Sequence, residues 1–139
     1  MLQKIKISFC HTNVIVGDIQ GNLESILRQA QKAHEEGAQV AIFGEQVVGG
    51  YAAEALLQWP SFIEAQVRAI VEFTRQTQKL NPFFVLGVCL EYKQKIYNCA
   101  ALIGQGKIWG ICPKQHLAEG GVFYENRYFA KGEPYHEGS

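Results

Sequence analysis

Two ionisable residues of this 139-residue chain stand where apolar, strand-like runs end. Glu45 follows Gln39-Val40-Ala41-Ile42-Phe43 and one glycine, and Lys114 follows the run that closes on Ile111-Cys112-Pro113. A carboxylate at the C-terminal end of a buried parallel strand sits where open α/β sheets place ligands, and such a group can take or give a proton. Gly49 and Gly50, just beyond Glu45, let the backbone turn or come close to something else. Taken alone, Glu45 has a plainer reading as a cap of the following turn or a partner for a nearby lysine. Two opposite charges at the same edge of one sheet are either a chemical constellation or a salt bridge closing that edge. The residues by themselves leave both open.

The elements that must position them read as follows. Lys4 to Cys10 alternates, with Ile5, Ile7 and Phe9 on one side, and predicts a strand with one buried face. Val16-Gly17-Asp18 marks a turn, and Asn22 is a good N-cap for a helix whose apolar positions are Ile26, Leu27, Ala30 and Ala33. Gly37 should end that helix. With the strand Gln39 to Phe43, the first half is β-α-β, which implies parallel strands. Ala52 to Trp59 predicts a short helical turn ended by Pro60. Ser61 then caps a helix running to about Gln78, with Phe62, Ala65, Ala69 and Phe73 on one face, widened by Val67 and Ile70. Phe83 to Leu90 is almost purely apolar and implies cover on both faces. Ile96 to Ile103 and Lys107 to Cys112 are two further strands joined by Gly104-Gln105-Gly106, a hairpin signal.

Composition bounds the possibilities. Thirteen basic residues balance thirteen acidic ones, which gives no electrostatic argument for nucleic acid or an acidic membrane. No segment approaches the about 20 apolar residues of a membrane span. The opening MLQKIKISFC has a strand pattern and no cleavable apolar leader. Cys10, Cys89, Cys99 and Cys112 show no CxxC pair and no metal-like spacing with histidine. All four lie in apolar surroundings and are expected to be core thiols, which suits a reducing cytoplasm. In an extended strand Cys112 would share a side with Lys114, but Pro113 disturbs that geometry. GQGKIWG fails as a dinucleotide loop because a strand, not a helix, follows it. The last stretch, with Phe123, Tyr124, Tyr128, Phe129 and Tyr135, is too aromatic for a solvent tail and is expected to pack.

Several motifs together carry a resemblance. VGDIQGN (Val16 to Asn22), FGEQVVGGY (Phe43 to Tyr51), Tyr97-Asn98, PKQHL (Pro113 to Leu117) and VFYENRYFAKG (Val122 to Gly132) resemble the amino-terminal part of the nitrilase, or carbon-nitrogen hydrolase, superfamily. Within it they are most similar to the glutaminase domain of glutamine-dependent NAD synthetases. The resemblance implies an α/β fold that is part of an α-β-β-α sandwich. It also implies a Cys-Glu-Lys mechanism in which a thiolate attacks the amide carbonyl of glutamine and ammonia leaves. By motif, Glu45 falls on the general base, Lys114 on the oxyanion-stabilising lysine, Glu125 on a supporting carboxylate and Tyr51 on a tyrosine near the site.

This chain departs from the family pattern in three places. Gly44 stands where proline is usual before the base. Ala118-Glu119-Gly120 stands where an aromatic would touch glutamine. The family's nucleophilic cysteine belongs to a later strand, and none of the four cysteines has its motif. Residues 1–139 are therefore expected to be the amino-terminal portion of a glutaminase domain, inactive by themselves. No cofactor is expected in this segment; ATP and Mg²⁺ would serve a separate synthetase domain. Glutamine is the implied substrate, and the missing strands would leave apolar sheet surface that favours a homo-oligomer. A stand-alone carbon-nitrogen amidase and a non-catalytic interaction module are the other readings.

Overall fold

These apolar patterns resolve into eleven short elements in the computed structural model, which describes residues 3–120 and 123–133. In order they are β1 (Ile7–Cys10), α1 (Ile19–Glu35), β2 (Val40–Phe43), a 3-10 turn (Glu54–Gln58), α2 (Pro60–Gln76), β3 (Phe83–Tyr92), β4 (Lys95–Gly104) and β5 (Lys107–Pro113). A small ribbon, β6 (Glu119–Gly120) with β7 (Phe123–Tyr124), leads to a second 3-10 turn, Glu125–Arg127.

The five long strands form one mixed sheet in the order β1-β2-β3-β4-β5. β1, β2 and β3 run parallel, as the β-α-β reading expects, and β3-β4-β5 is an antiparallel meander. Lys93 (φ 48°) and Gln94 (φ 64°) make the first hairpin turn, and Gln105 (φ 54°) and Gly106 (φ 75°) the second. Two consecutive residues at positive φ give the turn twist that matches twisted strands.

Cross-strand partners share a face of the sheet, so the register sorts the residues into two sets. Ala41, Phe84, Leu86, Val88, Ala101 and Ile103 form one set and are buried beneath both helices, against Ile26 and Ala30 of α1 and Ile70 and Phe73 of α2. Phe73 meets Phe84 edge to face at 5.2 Å, and both rings are fully buried. Each such ring contributes about 1.5–3 kcal/mol by leaving water. The other set is open. Ile7 is 47% and Phe9 69% exposed, and Leu102 is 39% exposed. The stripe Ile5-Ile7-Phe9 is therefore not the buried face of β1. Ser8 and Cys10 face the helices instead, because they pair with Ala41 and Phe43. For the same reason β3 is covered on one face along Phe84, Leu86 and Val88, while Phe83 and Val85 are only half-buried.

Helix starts differ from the expected ones. Asp18 caps α1, its carboxylate accepting from Gly21 N at 3.0 Å, so the helix opens before Asn22. Asn22 is buried inside the first turn and bonds Ile15 and Val48 backbone groups, stapling two loops together. Pro60 opens α2 at its first position rather than ending the turn before it, since a missing N–H costs nothing there. Ser61 stands two residues beyond the N-cap position, which Trp59 holds, and does not cap. On α2 Val67 is exposed, and Gln66 takes the buried position, its side-chain oxygen accepting from Cys89 N at 2.9 Å.

Cys10, Cys89 and Cys99 are buried free thiols as expected, but Cys112 is exposed. It lies on the edge strand β5 and pairs with Ala100, on the face opposite the buried Ala101 and Ile103. Of the terminal aromatics, Phe129 is buried and Tyr128 packs beside it, with Leu57, Phe62 and Ile63. Tyr135 lies outside the described residues, and the side chains of Phe123 and Tyr124 are not described.

Candidate active site

Glu45 stands two residues beyond the end of β2, in a turn that lies directly on the sheet. Gly87 of β3 makes that approach possible. A Cβ on Gly87 would meet Gln46 N at 2.3 Å and Gly44 O at 2.5 Å, so only glycine lets this loop come down onto the strand. The loop is then held from both sides. Val48 N donates to Gly87 O at 3.2 Å, and Gln46 is buried at φ 54°. Gly50 (φ +91°) serves the opposite flank, where a Cβ would meet the Val16 backbone at 2.6 Å.

Lys114 leaves β5 as its first residue beyond the strand. Its N–H donates to Asn98 O at 2.7 Å, and its carbonyl accepts from Gly132 N at 2.8 Å. The ammonium lies 2.8 Å from Glu45 Oε1 and 3.1 Å from Glu125 Oε2. Glu125 is 7% exposed and opens the second 3-10 turn. Its Oε2 also accepts from Ala118 N at 2.7 Å. Burial alone would lower the lysine's pKa, but the hydrogen bonds it donates to both carboxylates outweigh it, and the pKa is held above the ordinary lysine range. Tyr51 is half-exposed beside this cluster. Desolvation first, then the charges of Glu125 and Glu45, push its phenol up.

The structure thus brings Glu45, Lys114 and Glu125 into one contact network, with Tyr51 at its margin. One member escaped the sequence reading. Asn98, buried on β4, donates its amide N–H to Glu45 Oε1 at 2.6 Å. Its signal was the Tyr97-Asn98 pair, an amide set in an otherwise apolar strand. A recess of about 350 Å³ opens over the network, lined by Glu45, Asn98, Lys114, Gly87, Val85 and Cys112. A second, of about 420 Å³, lies beyond Glu125 and is lined by Gln46, Tyr51, Arg127 and Tyr128 among others. A third, of about 540 Å³, is a mainly apolar groove around Leu90, Tyr97, Ile108 and Trp109.

The cysteines divide sharply around this network. Burial drives Cys89 and Cys99 up to about 12, each helped by a neighbouring thiol, so they remain protonated and unreactive. Desolvation also raises Cys10. Cys99 and Cys112 both line the recess with Glu45 and Lys114, and of the two only Cys112 is exposed. Among the described residues no group of histidine, cysteine and carboxylates is arranged to hold a metal ion. No helix among them is long and apolar enough to cross a membrane.

The chain is similar to known proteins over almost its whole length. It is 33% identical over 132 residues to a glutamine-dependent NAD(+) synthetase of Mycobacterium leprae, covering 95% of this chain and 19% of that protein. A glutamine-dependent NAD(+) synthetase from Cytophaga hutchinsonii superposes with a TM-score of 0.89 at 26% identity, over 95% of this chain and 22% of that one. An amidase from Nesterenkonia sp. shares the fold with a TM-score of 0.80 at 22% identity, over 93% of this chain and 48% of that one. This chain therefore spans about a fifth of the length of the synthetases it matches. The carbon-nitrogen hydrolase family model matches residues 6–138, and it is to the carbon-nitrogen hydrolase family that this chain belongs.

Proposed function

We propose that these residues are the amino-terminal portion of a glutaminase domain whose ammonia serves an NAD synthetase. The observation that carries this reading is one ammonium shared by two carboxylates. A salt bridge closing a sheet edge needs one partner for Lys114. Here a second carboxylate, 7% exposed, is buried beside it and leaves the cluster with a net negative charge. A fold spends stability on such an arrangement where chemistry uses it. The names of the full-length synthetase relatives supply the substrate class, glutamine.

In this reading Glu45 takes the proton of an attacking thiol and returns it to the departing ammonia. Lys114 steadies the oxyanion of the tetrahedral intermediate, and Glu125 keeps Lys114 in place. Water then hydrolyses the thioester, with Glu45 again as base, to give glutamate. The nucleophilic cysteine comes from outside residues 1–139, since Cys89 and Cys99 are buried and held protonated and Cys112 carries no family motif. ATP and Mg²⁺ belong to the synthetase domain. The described residues offer no cluster for a metal, so no step here runs through them.

The test is a coupled ammonia assay with glutamine. In the complete polypeptide, Glu45→Gln and Lys114→Ala each lower turnover by about 10⁴-fold or more, the scale of losing a triad member. The 139-residue chain alone releases ammonia no faster than buffer. Release from it that Cys112→Ala abolishes would show that the nucleophile lies within this chain.

A further inference from the structure

We infer that Asn98 is a positioning residue for Glu45 and decides which carboxylate oxygen takes the proton. This deepens the reading above and rests on it. Glu45 Oε1 accepts from Asn98 Nδ2 at 2.6 Å and from Lys114 Nζ at 2.8 Å. A carboxylate only accepts, so the amide nitrogen of Asn98 must be the atom that faces it. Both donors converge on one oxygen. Among the described residues no hydrogen bond reaches Oε2, which is thereby left as the acceptor for an incoming proton.

Asn98 holds the partner of Glu45 as well. Its backbone carbonyl accepts from Lys114 N at 2.7 Å, next to the Cys99–Pro113 pairing of β4 and β5. One residue therefore fixes the base through its side chain and the cation's backbone through its main chain. A buried amide in a strand is costly without a partner, and the carboxylate accounts for it. Aspartate at this position would repel Glu45, and leucine would donate nothing. The other ionisable groups around Glu45 are Lys114, Glu125 behind it, Tyr51, Cys89, Cys99 and Cys112.

The test follows glutamine hydrolysis against pH in the complete polypeptide carrying these residues, using Glu45→Gln, Asn98→Leu and Asn98→Asp. In Asn98→Leu, kcat/KM falls about 10- to 100-fold, the scale of one charge-assisted hydrogen bond, with KM near the parent's. The acid limb of the kcat/KM profile moves to higher pH, because the ionised carboxylate has lost a donor. Asn98→Asp keeps the shape, sets a second carboxylate against Oε1 and moves the limb further. Parent-like activity in Glu45→Gln would sink the reading of the site and this inference with it. An inactive Glu45→Gln beside folded Asn98 variants that keep the parent's acid limb would leave the site reading standing and overturn the role of Asn98. Failure of both Asn98 variants to fold would overturn it too, since Asn98 would then serve the sheet and not the base.

Discussion

Lys114 Nζ lies 2.8 Å from Glu45 Oε1 across 69 residues of sequence, and the same nitrogen reaches the buried Glu125. The network is thus built so that the most buried charge depends on the lysine. Lys114→Met is expected to lower stability to urea by about 2 kcal/mol, because Glu125 then keeps only the Ala118 N–H. Adding Glu125→Gln should recover most of the loss. A double variant as unstable as Lys114→Met would show that Glu125 does not need the cation. The sign with pH follows from the raised lysine pKa. Its stabilisation is fully present below the free value of 10.5 and is lost as pH rises through the folded value. Lys114→Met should lack that part of the alkaline decline.

A larger alkaline loss should come from the core thiols. Cys89 and Cys99 titrate at about 12 when folded, against 9.0 for a free thiol. Between those values the unfolded chain has lost protons that the folded chain keeps, so stability falls as pH rises. The slope approaches about 1.4 kcal/mol per pH unit for each thiol. Urea midpoints measured from pH 8 upward, for the parent and Cys99→Ala, would read this; equal alkaline slopes in the two would count against burial as the cause.

Two glycines of the site loop should respond oppositely. Gly87→Ala drives a Cβ into the Gln46 backbone and is expected to cost about 1–3 kcal/mol and to displace Glu45. Gly44→Ala meets nothing within 4 Å and should stay within about 0.5 kcal/mol of the parent. Thermal melts of the pair decide it, and a neutral Gly87→Ala would mean that the loop does not rest on β3.

The open sheet face bears on association. Ile5, Ile7, Phe9 and Leu102 are apolar and 39–69% exposed on or beside one surface. The isolated chain is expected to self-associate, and Phe9→Lys to weaken that association. Sedimentation that finds a cooperative monomer at high concentration would contradict this.

Glu45 and Lys114 were legible in the sequence because each follows an apolar strand, and strand ends are a local property. Asn98 was not, because its role depends on Glu45, 53 residues away, being brought down beside β4 by the loop after β2. The start of α1 was misread for a related reason. Asp18 and Asn22 are both good caps by type, and only the loop at Val48 tells them apart, by claiming the Asn22 amide. Alternation identified β1 correctly but assigned its buried face to Ile5, Ile7 and Phe9. Hydrophobicity marks a face as one that wants cover, and within the described residues the helices cover the other one.

The carbonyl of Lys114 accepts from Gly132 while its N–H is held by Asn98. The backbone beneath the ammonium is thus gripped by a strand on one side and by the returning chain on the other. Gly132 fits there because a Cβ would strike Pro113 O at 2.7 Å. The polypeptide around Gly132 therefore stands in mechanical series with the cation, and a pull on it is felt at Lys114 through one hydrogen bond.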